Sequence, residues 1–149
     1  MTLDELADEA KTLILPRFDE AAALRLGQLL VDLGKGLPVV INIRSANRCL
    51  FHAALPGSAA DNDNWARRKS NTALMLGRAS LAVGMTLRET GGGLPEQGYG
   101  VDDFADHGGA VPVVVAGVGM VAVATVSGLP QVEDHRLAVA GLRALIGEL

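Results

Sequence analysis

The sequence predicts an α+β domain, an antiparallel sheet packed by helices. Three observations carry this. Capped helical patterns open the chain and a proline-led helix closes it. At 39–55 the pattern switches to period two and doubles back through a short turn, and at 111–127 two runs apolar on both faces double back through Gly117-Val118. Strands do not alternate regularly with helices, which argues against a doubly wound parallel sheet.

The elements follow in order. Thr2 and Glu5 form a capping-box pattern that opens a first helix running to about Leu15, where Pro16 ends it. Asp19 caps a second helix, with Ala22, Leu26, Leu29, Leu30 and Leu33 on its buried face. Gly34-Lys35-Gly36 stops it. Residues 39–44 and 48–55 read as a hairpin around Ser45-Ala46-Asn47. A three-residue turn sets Arg44 opposite Arg48 and Asn42 opposite Leu50. It places Ile41, Ile43, Cys49 and Phe51 on a core face, and Asn42, Arg44 and His52 on a mixed face.

Pro56-Gly57 breaks the second strand, and Asp61-Asn62-Asp63-Asn64 offers several caps for a helix from about Trp65 to Leu76. Residues 80–88 read as a short helix or a strand, with helix preferred, 89–100 as a glycine-rich loop, and 101–106 as one helical turn. Residues 111–116 and 119–127 are apolar on both faces, as in strands covered on both sides. Pro130 starts the last helix, with Glu133 and Asp134 in its first turn.

A chain of 149 residues suits a single domain spanning 1–149. Hydrophobic residues make up 49% and aromatic residues only 3%, so the core is built from Val, Leu, Ile and Ala. A net charge of -4 without a basic run argues against nucleic-acid binding. The single cysteine, Cys49, excludes an intrachain disulfide framework. No signal-peptide pattern or plain spanning stretch is read, so the expectation is a cytoplasmic protein without a membrane role.

Candidate chemistry crowds into three segments. The first is Trp65 to Lys69. Arg67, Arg68 and Lys69 fan over about 200° of a helix, so Arg68 or Lys69 lies beside the apolar face. Such a cation either snorkels or sits at a pocket edge. The second is His107-Gly108-Gly109, whose glycines permit close backbone approach. The third runs from Ser127 to His135. The Ser127-Gly128 turn leads into a helix N-terminus that favours an anion, although Glu133 and Asp134 already supply negative charge there. His135 follows Asp134 about 100° around the helix and reads as a proton donor, a ligand or an interface histidine. His52, on the mixed hairpin face, is a further candidate. The histidines and acids have no metal-ligand spacing, so no metal site is expected. There is no nucleophile elbow, phosphate loop or dinucleotide fingerprint.

Five motifs recur together in one family. They are Arg17-Phe18-Asp19-Glu20, Phe51-His52-Ala53-Ala54-Leu55-Pro56-Gly57, Asp61 to Lys69, His107-Gly108-Gly109-Ala110-Val111-Pro112, and Ser127 to His135. On these the chain resembles the haem-degrading or haem-binding GlcG/HbpS-like domain family, in an uncharacterised branch of it. The resemblance covers nearly the whole chain. It implies a profilin-like sheet packed by helices, self-association into homo-oligomers and, by way of some relatives, haem as a possible ligand.

Three functions stay open on the sequence. One is a binding module for haem or another anionic planar ligand, with His52, His107, His135 or Met120 as axial ligand and Arg67, Arg68 and Lys69 near the propionates. One is an enzyme acting on a small carboxylate, with His135 as acid or base. One is an oligomeric scaffold without a ligand. Under the first two, the three segments are expected to converge in space.

Overall fold

A computed structural model describes residues 1–149. The elements are α1 (Leu3–Thr12), β1 (Ile14–Leu15), α2 (Glu20–Leu33), β2 (Val40–Arg44), β3 (Cys49–Ala54), α3 (Ala60–Leu76), α4 (Ser80–Thr90), β4 (Ala110–Val115), β5 (Gly119–Ser127) and α5 (Gln131–Glu148). The strands form one sheet in the order β1-β4-β5-β2-β3. All pairings are antiparallel except β1 with β4.

The capping box of α1 is present: Thr2 Oγ1 accepts from the Glu5 amide at 3.1 Å, and Glu5 Oε2 accepts from the Thr2 amide at 3.2 Å. The helix stops at Thr12, short of the expected Leu15. Ile14 and Leu15 instead pair with Val114 and Val115, and Leu15 is fully buried. Burial against the sheet edge overrides the helical pattern there, and it makes the sheet mixed.

Asp19 caps α2, its Oδ1 accepting from the Ala22 amide at 2.8 Å. Ala22, Ala23, Leu26 and Leu30 are buried, whereas Leu33, in the last turn, is exposed. α2 and α5 cover one face of the sheet over the main core, in which Leu15, Leu26, Leu30, Ile41, Ile43, Val113, Leu142 and Leu145 are almost wholly enclosed. α3 lies on the other face, where Ala73 packs on Ala110 and Val123. β5 is covered on both sides, and residues 122–127 are buried without interruption. Buried polar residues between α3 and the sheet pair with each other, as in the 2.7 Å bond between Ser70 Oγ and Thr125 Oγ1.

The first hairpin departs from the expected register. Asn42 pairs with His52 and Ile43 with Phe51, while Arg44 pairs with Cys49 across a bulge. The first two pairs are offset by two residues from the expected register. An even shift preserves the faces, so Ile41, Ile43 and Phe51 share the core side and Asn42 and His52 the other. The bulge turns Cys49 over. It leaves the core face, becomes exposed, and its Sγ lies 3.6 Å from Asn42 Nδ2.

α3 starts at Ala60 rather than near Trp65. Asn62 Oδ1 accepts from the Ala59 amide at 2.9 Å, and Asp61 and Asp63 occupy the first turn, where the helix dipole favours acids. Residues 80–90 are helical, as expected. No helix is long and apolar enough to cross a membrane.

Candidate functional site

The start of α3, the 107–109 turn and the 127–131 turn meet at one end of the sheet. Between them lies a cleft of about 250 Å3. Its walls carry Asp61, Asn62, Trp65 and Lys69 from α3, His107 and Gly108 from the second segment, and Ser127 to Leu129, Gln131 and Asp134 from the third.

The floor is a buried ion pair. Lys69 Nζ donates to Gly108 O at 3.0 Å, Val126 O at 2.8 Å and Asp134 Oδ2 at 3.2 Å. All three ammonium protons are therefore used. Asp134 also accepts from the Gly128 amide at 3.2 Å and the Leu129 amide at 2.9 Å. Both side chains are only 3% exposed. Burial pulls the Lys69 pKa down, opposed by the Asp134 charge and its hydrogen bond. Burial likewise pushes Asp134 up, opposed by Lys69 and the two amides. The mutual attraction and the surrounding hydrogen bonds oppose that desolvation without outweighing it.

Glycines let the turns approach this pair. Gly109 has φ +139° and Gly128 has φ +145°. A Cβ on Gly109 would fall onto the Val126 carbonyl and Lys69 Nζ, and one on Gly128 onto the Pro38 carbonyl. Gln131 Oε1 accepts from the Gly108 amide at 2.9 Å and ties the two turns together.

Trp65 and His107 form the outer wall. Their rings meet edge to face, with centroids 5.2 Å apart and planes at 69°. The Arg68 guanidinium carbon lies 4.6 Å from the Trp65 ring centroid. His107 is half exposed, with Nδ1 3.1 Å from Asp106 Oδ1.

Of the residues singled out in the sequence, Trp65, Lys69, His107, Gly108, Ser127, Gly128 and Asp134 line the cleft. Gly109 lies behind it, against Lys69. The rest face elsewhere. Arg67 binds Asp103 Oδ1 at 2.9 Å and Asp102 O at 2.6 Å. Arg68 donates to Val101 O at 2.8 Å and Phe104 O at 3.3 Å. Both arginines thus anchor the 101–104 segment and are not free at a pocket edge. Glu133 is exposed and lies outside the cleft. His52 sits on the hairpin, with Nε2 2.7 Å from Asp63 Oδ1 and Nδ1 3.0 Å from Asn42 Nδ2.

His135 points away as well. Asp134 faces α3, so the next residue, about 100° further round, faces α1. There His135 Nε2 lies 2.6 Å from Glu9 Oε1. Asp61, Asn62, Leu129 and Gln131 were not singled out as site residues. The acidic run reads as caps in the sequence, and only the return of Gln131 to Gly108 reveals its place. No group of three or more His, Cys, Asp or Glu side chains is arranged to hold a metal ion.

The model of the haem-degrading protein HbpS-like family matches residues 18–143. The chain belongs to this HbpS-like family. A UPF0303 protein of Streptomyces coelicolor is 49% identical, covering 99% of this chain and 95% of that relative. A UPF0303 protein of Burkholderia thailandensis is 43% identical, covering 99% and 91%. Among crystal structures, the Ybr137w protein aligns at TM-score 0.88 with 35% identity, covering 99% of this chain and 89% of that one. HbpS itself aligns at TM-score 0.71 with 21% identity, over 87% and 90% of the two chains. A PduOC–haem complex aligns at 0.73 with 18% identity, over 85% and 94%. These last two share the fold with this HbpS-like chain.

Proposed function

We propose that this HbpS-like chain is a small-ligand-binding protein that works as a homo-oligomer, and that its ligand seats in the cleft between Trp65, His107 and the Ser127–Leu129 turn. One observation carries the reading: three segments distant in sequence are drawn around one cleft by the buried Lys69–Asp134 pair. Glycines at positive φ in two of them serve that close approach.

Haem is the ligand that the resemblance implies. It needs an apolar slot, an axial ligand and cations for its propionates. Only two of the 11 residues lining the cleft are hydrophobic. Arg67 and Arg68 are bound to the 101–104 segment and Lys69 to Asp134. The lining of this cleft in one chain therefore does not fit haem. The Lys69 and Asp134 charges cancel and Asp61 adds a negative one, so the cleft suits a small, polar, uncharged molecule better than an anion. The reading as an acid–base enzyme loses its named residue at this site, because His135 is turned to Glu9. The homo-oligomer reading is supported by β3, whose outer edge is unpaired in the single chain.

Trp65 is the only tryptophan, so its emission reports on the cleft wall. A thermal-shift screen of small polar metabolites, followed by Trp65 emission, tests the reading. A ligand that raises Tm and alters emission in the wild type, but not in His107→Ala, is the expected result. A shifted haemin absorbance band that survives gel filtration would overturn the polar-ligand reading. Light scattering that shows only the 15.4 kDa monomer would overturn the oligomer.

A further inference from the structure

Ser127 ends β5 with its side chain on the cleft side of the sheet. Val123 packs on Ala73 of α3 and Thr125 bonds Ser70 of the same helix, whereas Ala122, Ala124 and Val126 belong to the main core. Alternate residues of a strand share a face, so Ser127 falls on the α3 side, where it lines the cleft. The residue is only 3% exposed. Its hydroxyl takes part in no hydrogen bond within the chain. The sealed side-chain atoms without a partner are Asn42 Oδ1, Arg44 Nε and His135 Nδ1. Ser127 Oγ is not one of them, so this nearly buried hydroxyl keeps an open side. Thr125, two residues earlier on the same face, spends its hydroxyl on the fold, and Ser127 does not.

The amide side chains beside it are turned to donate. Gln131 Oε1 accepts from the Gly108 amide and Asn62 Oδ1 from the Ala59 amide, both at 2.9 Å. A backbone N–H pairs with the oxygen of a side-chain amide and not with its nitrogen, so these bonds fix which end is left over. The free ends are two NH2 groups, which donate and cannot accept. Trp65 Nε1, also unbonded within the chain, only donates. None of these three nitrogens is sealed from solvent.

Acceptors are fewer. Lys69 and Asp134 are spent on each other and on the backbone of the turns. Asp61, exposed, is the carboxylate left free in the lining. His107 Nε2 serves either role with its protonation. The open groups of the cleft are therefore mainly donors, with one carboxylate and no unspent lysine or arginine. A carbonyl oxygen, with two lone pairs and no proton, matches such a lining. An anion meets Asp61 without a free cation to hold it, and each hydroxyl of a polyol brings a donor of its own. An amide adds an N–H to the carbonyl, and Asp61 is there to accept it.

We infer that the cleft takes a small neutral amide or lactam, an inference that rests on the reading of the cleft as the ligand site. The carbonyl oxygen accepts from Ser127 Oγ and from the Gln131 NH2 group, and the ligand N–H donates to Asp61. Ser127 is the residue that sets specificity, because its hydroxyl has no duty to the fold.

The probes are 2-pyrrolidinone, 1,2-cyclopentanediol and cyclopentanecarboxylate, three five-membered rings titrated into the full-length protein at millimolar concentration. Binding is read from Tm, from Trp65 emission and from the side-chain amide resonances of Gln131. The lactam is expected to raise Tm, to alter the emission and to shift the Gln131 NH2 signals. The diol and the carboxylate are expected to bind at least about tenfold more weakly, because they mismatch the donors or meet Asp61. Ser127→Ala is expected to leave the Tm of the free protein no lower and to weaken lactam binding about tenfold. Diol or carboxylate binding as tight as the lactam overturns the inference. So does a Ser127→Ala variant that binds the lactam as well as the wild type, or one whose free protein melts lower. Silence of all three probes, with a response to another polar metabolite, overturns the amide class and leaves the cleft reading standing. Silence towards every polar molecule overturns both.

Discussion

Lys69 Nζ stands 3.2 Å from Asp134 Oδ2 at the floor of the cleft, with both side chains withdrawn from water. The two residues are 65 positions apart in sequence. Their contact joins α3 to the first turn of α5, and the Lys69 bonds to Gly108 O and Val126 O bring in the two turns. The pair is the keystone of the site, and its removal is the most direct probe of how the site is held.

Lys69→Met leaves Asp134 buried without its cation. This is expected to cost about 3–5 kcal/mol in urea unfolding. Lys69→Met combined with Asp134→Asn removes the stranded charge and keeps an acceptor for the Leu129 amide. The double variant is expected to recover most of that loss. A double variant as unstable as the sum of its singles would show that the two residues act independently.

The same single variant changes the pH profile. In the wild type, burial raises the Asp134 pKa and Lys69 holds it back. Without Lys69 the folded-state pKa rises further above its unfolded value. A carboxyl raised in this way contributes stability at low pH and loses it as pH rises through the folded pKa. Lys69→Met is therefore expected to lie nearest the wild type in acid and to fall behind towards neutral pH. Urea midpoints measured across that range check the sign.

Gly128→Ala places a Cβ at φ +145° and against the Pro38 carbonyl. Strained backbone together with a backbone clash is expected to cost more than about 2 kcal/mol. Gly36 also has positive φ, +83°, but nothing lies near its missing Cβ. Gly36→Ala should therefore cost clearly less. Thermal unfolding of the two variants side by side separates strain from close approach.

Arg68→Ala removes the cation over Trp65 and the two bonds to the 101–104 segment. The stacking alone is worth about 0.5–1 kcal/mol at a partly exposed site. A Tm loss of a few degrees is expected, with Trp65 emission shifted as the ring loses its cover. Ligand affinity at the cleft should change by no more than a few fold, because Arg68 does not line it. A complete loss of binding with an unchanged Tm would return Arg68 to the site.

Cys49 offers a check on the hairpin bulge. It is exposed, not on the core face that strict alternation assigns to it. A thiol reagent is expected to modify it in the native protein without unfolding it, and Cys49→Ser should be nearly neutral in stability. Protection of the thiol until the protein unfolds would place Cys49 back in the core.

The sequence by itself determined the elements whose cause is local. The Thr2–Glu5 box, the Asp19 cap, the strand at 40–44 and the apolar hairpin at 111–127 depend on residues within a few positions of each other, and the structure shows them. The location of the cleft was also legible, because glycines that permit close approach and a cation at the edge of an apolar helix face leave a mark in sequence. Three outcomes were decided only by tertiary structure. Ile14 and Leu15 became a strand because a sheet edge about 100 residues away was there to bury Leu15. Cys49 left the core because a bulge at the turn changed which face it occupies. The roles of Arg67, Arg68, Lys69 and His135 were set by what lay opposite each one. A helix turns about 100° per residue, so neighbours in sequence meet different partners. Lys69 met Asp134, the arginines met the 101–104 backbone, and His135 met Glu9. Periodicity tells which way a side chain points from its own helix, and only the packed chain tells what it points at.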